Sequence, residues 1–276
     1  MTEHWGDIPL GKETVYADRY DASLLAPIPR RLAREALGEM PPFHGEDIWV
    51  AYELTWLDTR AKPVAVMAEF SIPCDSPALV ESKSLKLYLN SFAGTAFDDE
   101  AAVREKLIAD LSQVTGAQVG VVLFPLATAP IPSVPPGVCL DALPVACDDI
   151  QRQTAELLML ADGADKDNEE EDVQVYSHLV RSLCPVTGQP DWATVLVRYS
   201  GPRISPESLL RYLVSFRFHQ GFHEQVVEMV FSDIMRRCQP RRLSVQGLFT
   251  RRGGIDINPF RSTEAGATPR RRIVRQ

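Results

Sequence analysis

Ser84-Leu85-Lys86-Leu87-Tyr88-Leu89-Asn90-Ser91-Phe92 and Ser208-Leu209-Leu210-Arg211-Tyr212-Leu213-Val214-Ser215-Phe216 are one word written twice, identical at six of nine positions. Apolar residues recur at helical spacing in both copies, so each predicts a helix with one buried face. Phe97 and Phe222 fall at matching places in the helix that follows each copy once one residue is inserted. Upstream of each word lie two strand-like runs, and downstream lies one more. The order strand pair, helix pair, strand occurs twice, which predicts an internal duplication. A two-layer α+β unit covers one sheet face with helices and leaves the other in need of a partner. Closure of the sheet across repeats or across subunits is the expected answer.

Working outward, Asp47 to Phe70 reads as a β-hairpin turning near Thr59 to Lys62, and Lys83 to Phe92 and Asp98 to Ser112 read as helices before the strand GVVLF at 120–124. In the second half TAELLML (154–160), VQVYSHLVRSL (173–183) and WATVLVRY (192–199) read as strands. Pro206 to Phe216 and Phe222 to Arg237 read as helices, and RRLSVQGLF begins as a strand whose pattern is lost at Gly253-Gly254. Residues 1–46, broken by Pro27, Pro29, Pro41 and Pro42, are expected to form an irregular arm with one short helix from Leu32 to Leu37. Pro130, Pro132, Pro135, Pro136 and Pro144 mark 126–145 as a connector between a first repeat at 47–125 and a second at 146–276. Asp162 to Asp172 holds seven acids and reads as a solvated hairpin tip or loop.

A chain of 276 residues, 45% hydrophobic and 24% charged, can bury one large core or two modest ones, which excludes disordered and fibrous classes. The net charge of -8 argues against a main task of gripping a nucleic-acid backbone. MTEHWGDIPLGKETVY has neither a basic stretch nor an apolar segment, and no run reaches eighteen apolar residues. A cytoplasmic protein with no membrane partner is expected. The five cysteines are odd in number and widely spaced, without a CxxC pair, so neither a disulfide framework nor a zinc knuckle is indicated.

Cys184 follows a strand and precedes a Pro and Gly turn in RSLCPVTGQPDW; it is either an accessible nucleophile or a small buried hydrophobe. Asp191, across that turn, could exchange protons with it. His223-Glu224 follows Gly221 at a helix start, where the pair could read a heterocycle's edge or stand as an ordinary solvated turn. Cys184 with His219 and His223 is a zinc alternative, weakened by Gly221 between the histidines. In Glu81-Ser82-Lys83, either Ser82 caps the helix while Lys83 and Lys86 face solvent, or the cluster binds a ring amide and a phosphate together. The last 41 residues carry eleven arginines against two acids, and Arg251-Arg252-Gly253-Gly254 couples cations to flexible backbone. Phosphate binding and a solvated basic tail both fit that run. Neither GxGxxG nor a P-loop occurs.

At Glu81-Ser82-Lys83-Ser84-Leu85-Lys86-Leu87-Tyr88 the chain resembles the signature of the NADPH-dependent 7-cyano-7-deazaguanine reductases, the nitrile reductases of queuosine biosynthesis. The resemblance extends to the loop holding Cys184 and Asp191, to Phe222-His223-Glu224 and to RRGGIDINPFRS at 251–262. It implies an α+β fold of tandem tunnelling-fold (T-fold) repeats, antiparallel sheets with helices on one face, and a homodimer. It implies a small-molecule 7-deazaguanine substrate, NADPH as cofactor, no resident metal and no direct contact with nucleic acid. Carried over residue by residue, Cys184 is the nucleophile and Asp191 the proton donor. Val80, Glu81, Ser82, His223 and Glu224 hold the base, while Ser82, Lys83, Arg252 and Gly253 meet NADPH. The reaction implied is a four-electron reduction of nitrile to amine through a cysteine thioimidate. A zinc-dependent cyclohydrolase-like enzyme would require stoichiometric metal instead, and a noncatalytic binding protein or tRNA-associated module would bind without oxidising NADPH.

Overall fold

The computed structural model describes residues 17–38, 42–164 and 169–276. The arm supplies β1 (Pro27–Pro29) and α1 (Arg30–Leu37). The first repeat follows with β2 (Glu46–Leu57), β3 (Pro63–Pro73), β4 (Ala78–Val80), α2 (Ser82–Ser91), α3 (Glu100–Thr115) and β5 (Gly120–Pro125). The short β6 (Val138–Cys139) lies inside the proline-rich stretch. The second repeat is β7 (Glu169–Leu183), β8 (Pro190–Pro202), α4 (Pro206–Ser215), α5 (His223–Cys238), β9 (Arg242–Phe249) and β10 (Ile255–Ser262). Eight strands join in one sheet of order β5-β3-β2-β10-β9-β8-β7-β6, and β1 pairs with β4 as a separate ribbon. Only β6 runs parallel to its neighbour in that sheet.

The repeated word has a structural meaning at each identical position, because all six residues are buried in both copies. The Tyr88 and Tyr212 hydroxyls each donate at 2.7 Å to an aspartate on the following helix, Asp110 and Asp233. Ser91 and Ser215 donate at 2.6 Å to the carbonyl of their tyrosine. Ser84 and Ser208 accept, each at 3.1 Å, the backbone N–H of an incoming segment, at Ala26 and Met159. The buried hydroxyls of the repeated word are thus paired, as their desolvation demands.

The two phenylalanines behave differently from the expected match. Phe97 precedes α3 and Phe222 caps α5, so neither lies inside a helix. The backbone N–H of Phe97 donates to Leu57, and the residue that does this in the second repeat is Gly221, donating to Leu183. The first repeat, which adds its own cap at Asp99, carries the extra residue.

β10 is absent from the sequence reading, which loses the strand pattern at Gly253. Every residue of β10 is buried, so no apolar and polar alternation marks it. Ile255 to Pro259 pair with β2, and Phe260 to Ser262 pair with β9. Pro259, a residue that cannot donate to a ladder, sits at this hand-over. β10 therefore welds the repeats edge to edge into one open sheet that ends at β5 and β6. TAELLML is not a strand: Ala155–Leu157 is a short 3-10 turn, because Leu158 turns inward to the core and Leu160 only bridges Ile204. Of the acidic stretch, residues 165–168 lie outside the described residues, as do Pro41 and residues 1–16. Glu169 to Asp172 open β7 rather than a loop, with Glu171 paired to Arg241 and Arg242 and Asp172 to Arg198.

A buried ion cluster ties the arm and both repeats together. Arg261 on β10, 0% exposed, donates to Asp47 on β2 at 2.8 Å and to Glu228 on α5 at 2.7 Å. Arg30 and Arg34 of α1 reach the same carboxylates at 2.5 and 2.7 Å, so the arm is an integral part of the fold. Burial opposes ionisation of Asp47 and Glu228, yet the guanidinium groups hold both below the ordinary carboxylate range.

The basic tail is docked rather than solvated. Ile273 is buried against Tyr176, Leu196 and Leu248 on the sheet. Arg270 bonds Glu69 and Ser71, and Arg275 bonds the His178 carbonyl at 2.6 Å.

Candidate active site

One cavity of about 540 Å3 opens where the repeats meet, lined by the end of β4 and start of α2, the β7–β8 tip, the start of α5 and the β9–β10 turn. Val80, Glu81, Ser82, Lys83, Cys184, Asp191, His223, Glu224, Arg252 and Gly253 all line it. Residues separated by the length of a repeat in sequence thus face one space.

Cys184 stands at the end of β7, 8% exposed, where Cys184 N–H donates to Gln189 and Gly188 N–H returns to Cys184, both at 2.9 Å. The tight tip needs Gly188, whose φ is +69°. Burial pushes the thiol up, but hydrogen bonds from the Thr187 hydroxyl, the Thr187 and Val186 amides and Arg252 outweigh it, so the pKa falls below the ordinary value. Asp191 pairs in register with Ser182, which brings the hairpin's two ends together. It is 7% exposed, with Arg252 at 3.0 Å and His223 Nε2 at 3.4 Å from its two oxygens.

The His223 ring stacks on Phe249 with centroids 3.8 Å apart and planes 6° apart, and its Nδ1 has no hydrogen-bond partner. Glu224, 4% exposed, likewise leaves Oε1 without a partner. Burial, with the charge of Asp47 adding to it, raises this carboxyl to about 8. α5 begins with no side-chain cap. At α2, by contrast, Glu81 is the cap, accepting Lys83 N–H at 2.9 Å and Ser84 N–H at 2.6 Å. The capping role read for Ser82 therefore belongs to Glu81, whose longer side chain reaches both amides, and Ser82 is the first helical residue.

Lys83, Lys86, Arg252 and Gly253 share the same cavity wall. Gly253 has φ +64°, a left-handed conformation that favours glycine, and it brings the turn beside the Lys86 side chain of α2. Clustered cations beside exposed backbone are the donor set that phosphates take, and these residues fit the phosphates of NADPH. Trp49 of β2 was not anticipated: it lines the cavity and its indole Nε1 is buried without a partner. Its apolar strand context reads as core, so no local signal distinguishes it.

The zinc alternative does not assemble. His223 Nε2 faces Asp191, and His219 Nε2 is buried without a partner. Among the described residues, the grouping of metal-ligating types is Cys139, Asp141 and His178, away from this cavity. No helix among the described residues is long and apolar enough to cross a membrane.

Comparison with known proteins agrees with this geometry. Residues 16–123 match the family described as nitrile reductase, 7-cyano-7-deazaguanine-reductase N-term, and residues 190–268 match the family described as QueF-like protein. These two matches lie one on each repeat, as tandem tunnelling-fold units do. The NADPH-dependent 7-cyano-7-deazaguanine reductase of Azoarcus sp. (strain BH72) is 52% identical over 261 residues, 93% of this chain and 90% of that protein. That of Desulfotalea psychrophila is 48% identical over 281 residues, 100% of both chains. The Burkholderia orbicola enzyme is 52% identical over 259 residues, 92% of each. With such identity along nearly its whole length, and both family models matched, the chain belongs to the NADPH-dependent 7-cyano-7-deazaguanine reductase family.

Proposed function

We propose that this chain reduces the nitrile of 7-cyano-7-deazaguanine to 7-aminomethyl-7-deazaguanine in queuosine biosynthesis, with Cys184 as the covalent nucleophile. The observation that carries the reading is a thiol with a lowered pKa in one cavity with Asp191 and an unpartnered buried carboxyl. The Cys184 thiolate adds to the electrophilic nitrile carbon, one C–N π bond breaks, and the nitrogen takes a proton from Asp191 to give a thioimidate. His223, whose Nε2 lies 3.4 Å from Asp191, and Arg252 keep that carboxyl oriented.

The free Oε1 of Glu224 accepts from the base, and Glu81 supplies a further acceptor while still serving α2. Val80, Ser82 and His223 complete the contacts to the ring. Ser82, Lys83, Arg252 and Gly253 hold NADPH by its phosphates and the adjoining backbone. NADPH bound there would supply the two hydrides that the four-electron reduction needs, one molecule after the other. Cys184 would hold the carbon through the first hydride and leave as thiolate once the nitrogen has taken a further proton, freeing the imine for the second. The chain must retain the imine between the two, and the 540 Å3 cavity with its buried acceptors suits that task. A homodimer belongs to the same reading and is checked by light scattering.

Intact-protein mass after incubation with the nitrile tests the assignment. An adduct of one ligand mass, absent from Cys184→Ala and cleared by NADPH with amine release, is the expected result. A folded chain that binds the base yet gives no adduct overturns the nucleophile.

A further inference from the structure

On the far edge of the second repeat, three side chains of different chemistry converge without any part in the cavity above. Cys139 of β6, Asp141 just after it and His178 of β7 each offer one ligand atom, and all three atoms lie within 4.8 Å of one another. We propose that they form a binding site for a divalent transition-metal ion of zinc type, which staples the proline-rich segment around β6 to the sheet.

The donor set suits a borderline cation, since thiolate, imidazole and carboxylate are the three ligand types zinc takes. One thiolate, one carboxylate and a neutral imidazole also cancel the ion's two positive charges. Bond lengths of about 2.0 to 2.3 Å place tetrahedral ligands about 3.5 Å apart, so binding requires the group to contract by little more than about an ångström at most. Cys139 is exposed, which leaves its side chain room to turn inward.

The other two ligands are already held in place. Thr194 Oγ1 lies 2.7 Å from His178 Nδ1, which leaves Nε2 as the coordinating nitrogen. Asp141 accepts the Ser177 hydroxyl at 2.7 Å and the His178 backbone N–H at 3.2 Å, so its carboxylate is oriented from two sides. Arg275 nearby is spent on the His178 carbonyl at 2.6 Å. β6 itself is only two residues long, and Leu140 N–H to Tyr176 at 2.9 Å continues its attachment. A metal bridging residues 139 and 141 to 178 adds the cross-link that so short a parallel pairing lacks.

The test uses the full chain, reduced and stripped with chelator, then titrated with Co2+. A thiolate-to-cobalt charge-transfer band that saturates at one equivalent and is displaced by Zn2+ is expected. Cys139→Ser should abolish the band and weaken Zn2+ binding at least tenfold, while Cys184→Ala should leave both unchanged. Because Cys139 is at the surface, the serine variant should match the metal-free native chain in its thermal unfolding midpoint. Zn2+ should also slow alkylation of Cys139, read by peptide mass, by at least tenfold. A band that survives Cys139→Ser and is lost in Cys184→Ala puts the metal in the cavity and overturns the proposal. So do an absent band at millimolar Co2+ and an alkylation rate indifferent to Zn2+.

Discussion

The tips of the two long hairpins occupy the same place in their repeats and do opposite things. In the first, Leu57 N–H donates to Thr95 and Phe97 N–H returns to Leu57; in the second, Leu183 N–H donates to His219 and Gly221 N–H returns to Leu183. The next residue is Asp58 in one and Cys184 in the other. Asp58 takes the amides of Arg60 and Lys62, both at 2.9 Å, and those hydrogen bonds hold its carboxyl below the ordinary range. At Cys184, against the opposing effect of burial, the amides of Val186 and Thr187 help do the same for sulfur. A turn that gathers amides around an anion is thus common to both repeats. In one it finishes a loop; in the other it readies a nucleophile.

Exchanging the two residues is the strongest way to break this comparison. Cys184→Asp should keep the turn and the fold, by circular dichroism, yet lower kcat by about 10^4-fold or to background. Retained turnover would place the nucleophile elsewhere.

The joint between the repeats comes next. Arg261→Met should cost about 3–5 kcal/mol in urea unfolding, because Asp47 and Glu228 lose a fully buried counter-ion. Emission from Trp49 and Trp56, isolated by replacing Trp5 and Trp192 with Phe, and overall helicity should then shift together; a shift in only one would mean that the repeats unfold separately.

Tyr88→Phe and Tyr212→Phe probe the shared word. Each removes a 2.7 Å donor from a buried or nearly buried aspartate and should cost about 1–3 kcal/mol, by the same unfolding assay. Equal costs support one design used twice, and a tenfold difference in the equilibrium constant would sharpen where the copies part.

The last test reads a slope with pH and concerns Glu224, whose counterpart at the start of α3 is Ala101. With a folded pKa of about 8 against an ordinary 4.5, the native state holds its proton more tightly than the unfolded chain. That contribution is full below about pH 4.5 and is lost as pH rises through about 8. Glu224→Gln should therefore flatten the decline in stability between pH 5 and pH 8.5 measured by denaturant titration, leaving the variant relatively more stable at the alkaline end.

What could be read from sequence was the part with local period or distinctive chemistry. The repeated word announces α2 and α4 because its six shared residues point inward. Cys184, Asp191 and the Glu81 and His223 elements stand out as reactive types beside turns. β10 was hidden by burial on both faces and by Pro259, Asp256 and Arg261, which on their own argue against a central strand. Trp49 was hidden because a donor facing a cavity and a ring facing the core look alike in a strand. The arginines of the tail looked like a solvated run because their partners, such as Glu69 and the His178 carbonyl, lie far off in sequence.

The welding of β10 to β2 also sets a schedule for synthesis. Arg261 lies 214 positions after Asp47, its partner across the joint. At roughly 5–20 residues per second, the open edge of β2 waits about ten to forty seconds on the ribosome before the strand that covers it exists. Until then the first repeat is an unsealed sheet, exposed to pairing with other nascent chains. The β9–β10 turn that closes the cavity arrives in the same late segment, so catalytic competence is among the last properties a growing chain acquires.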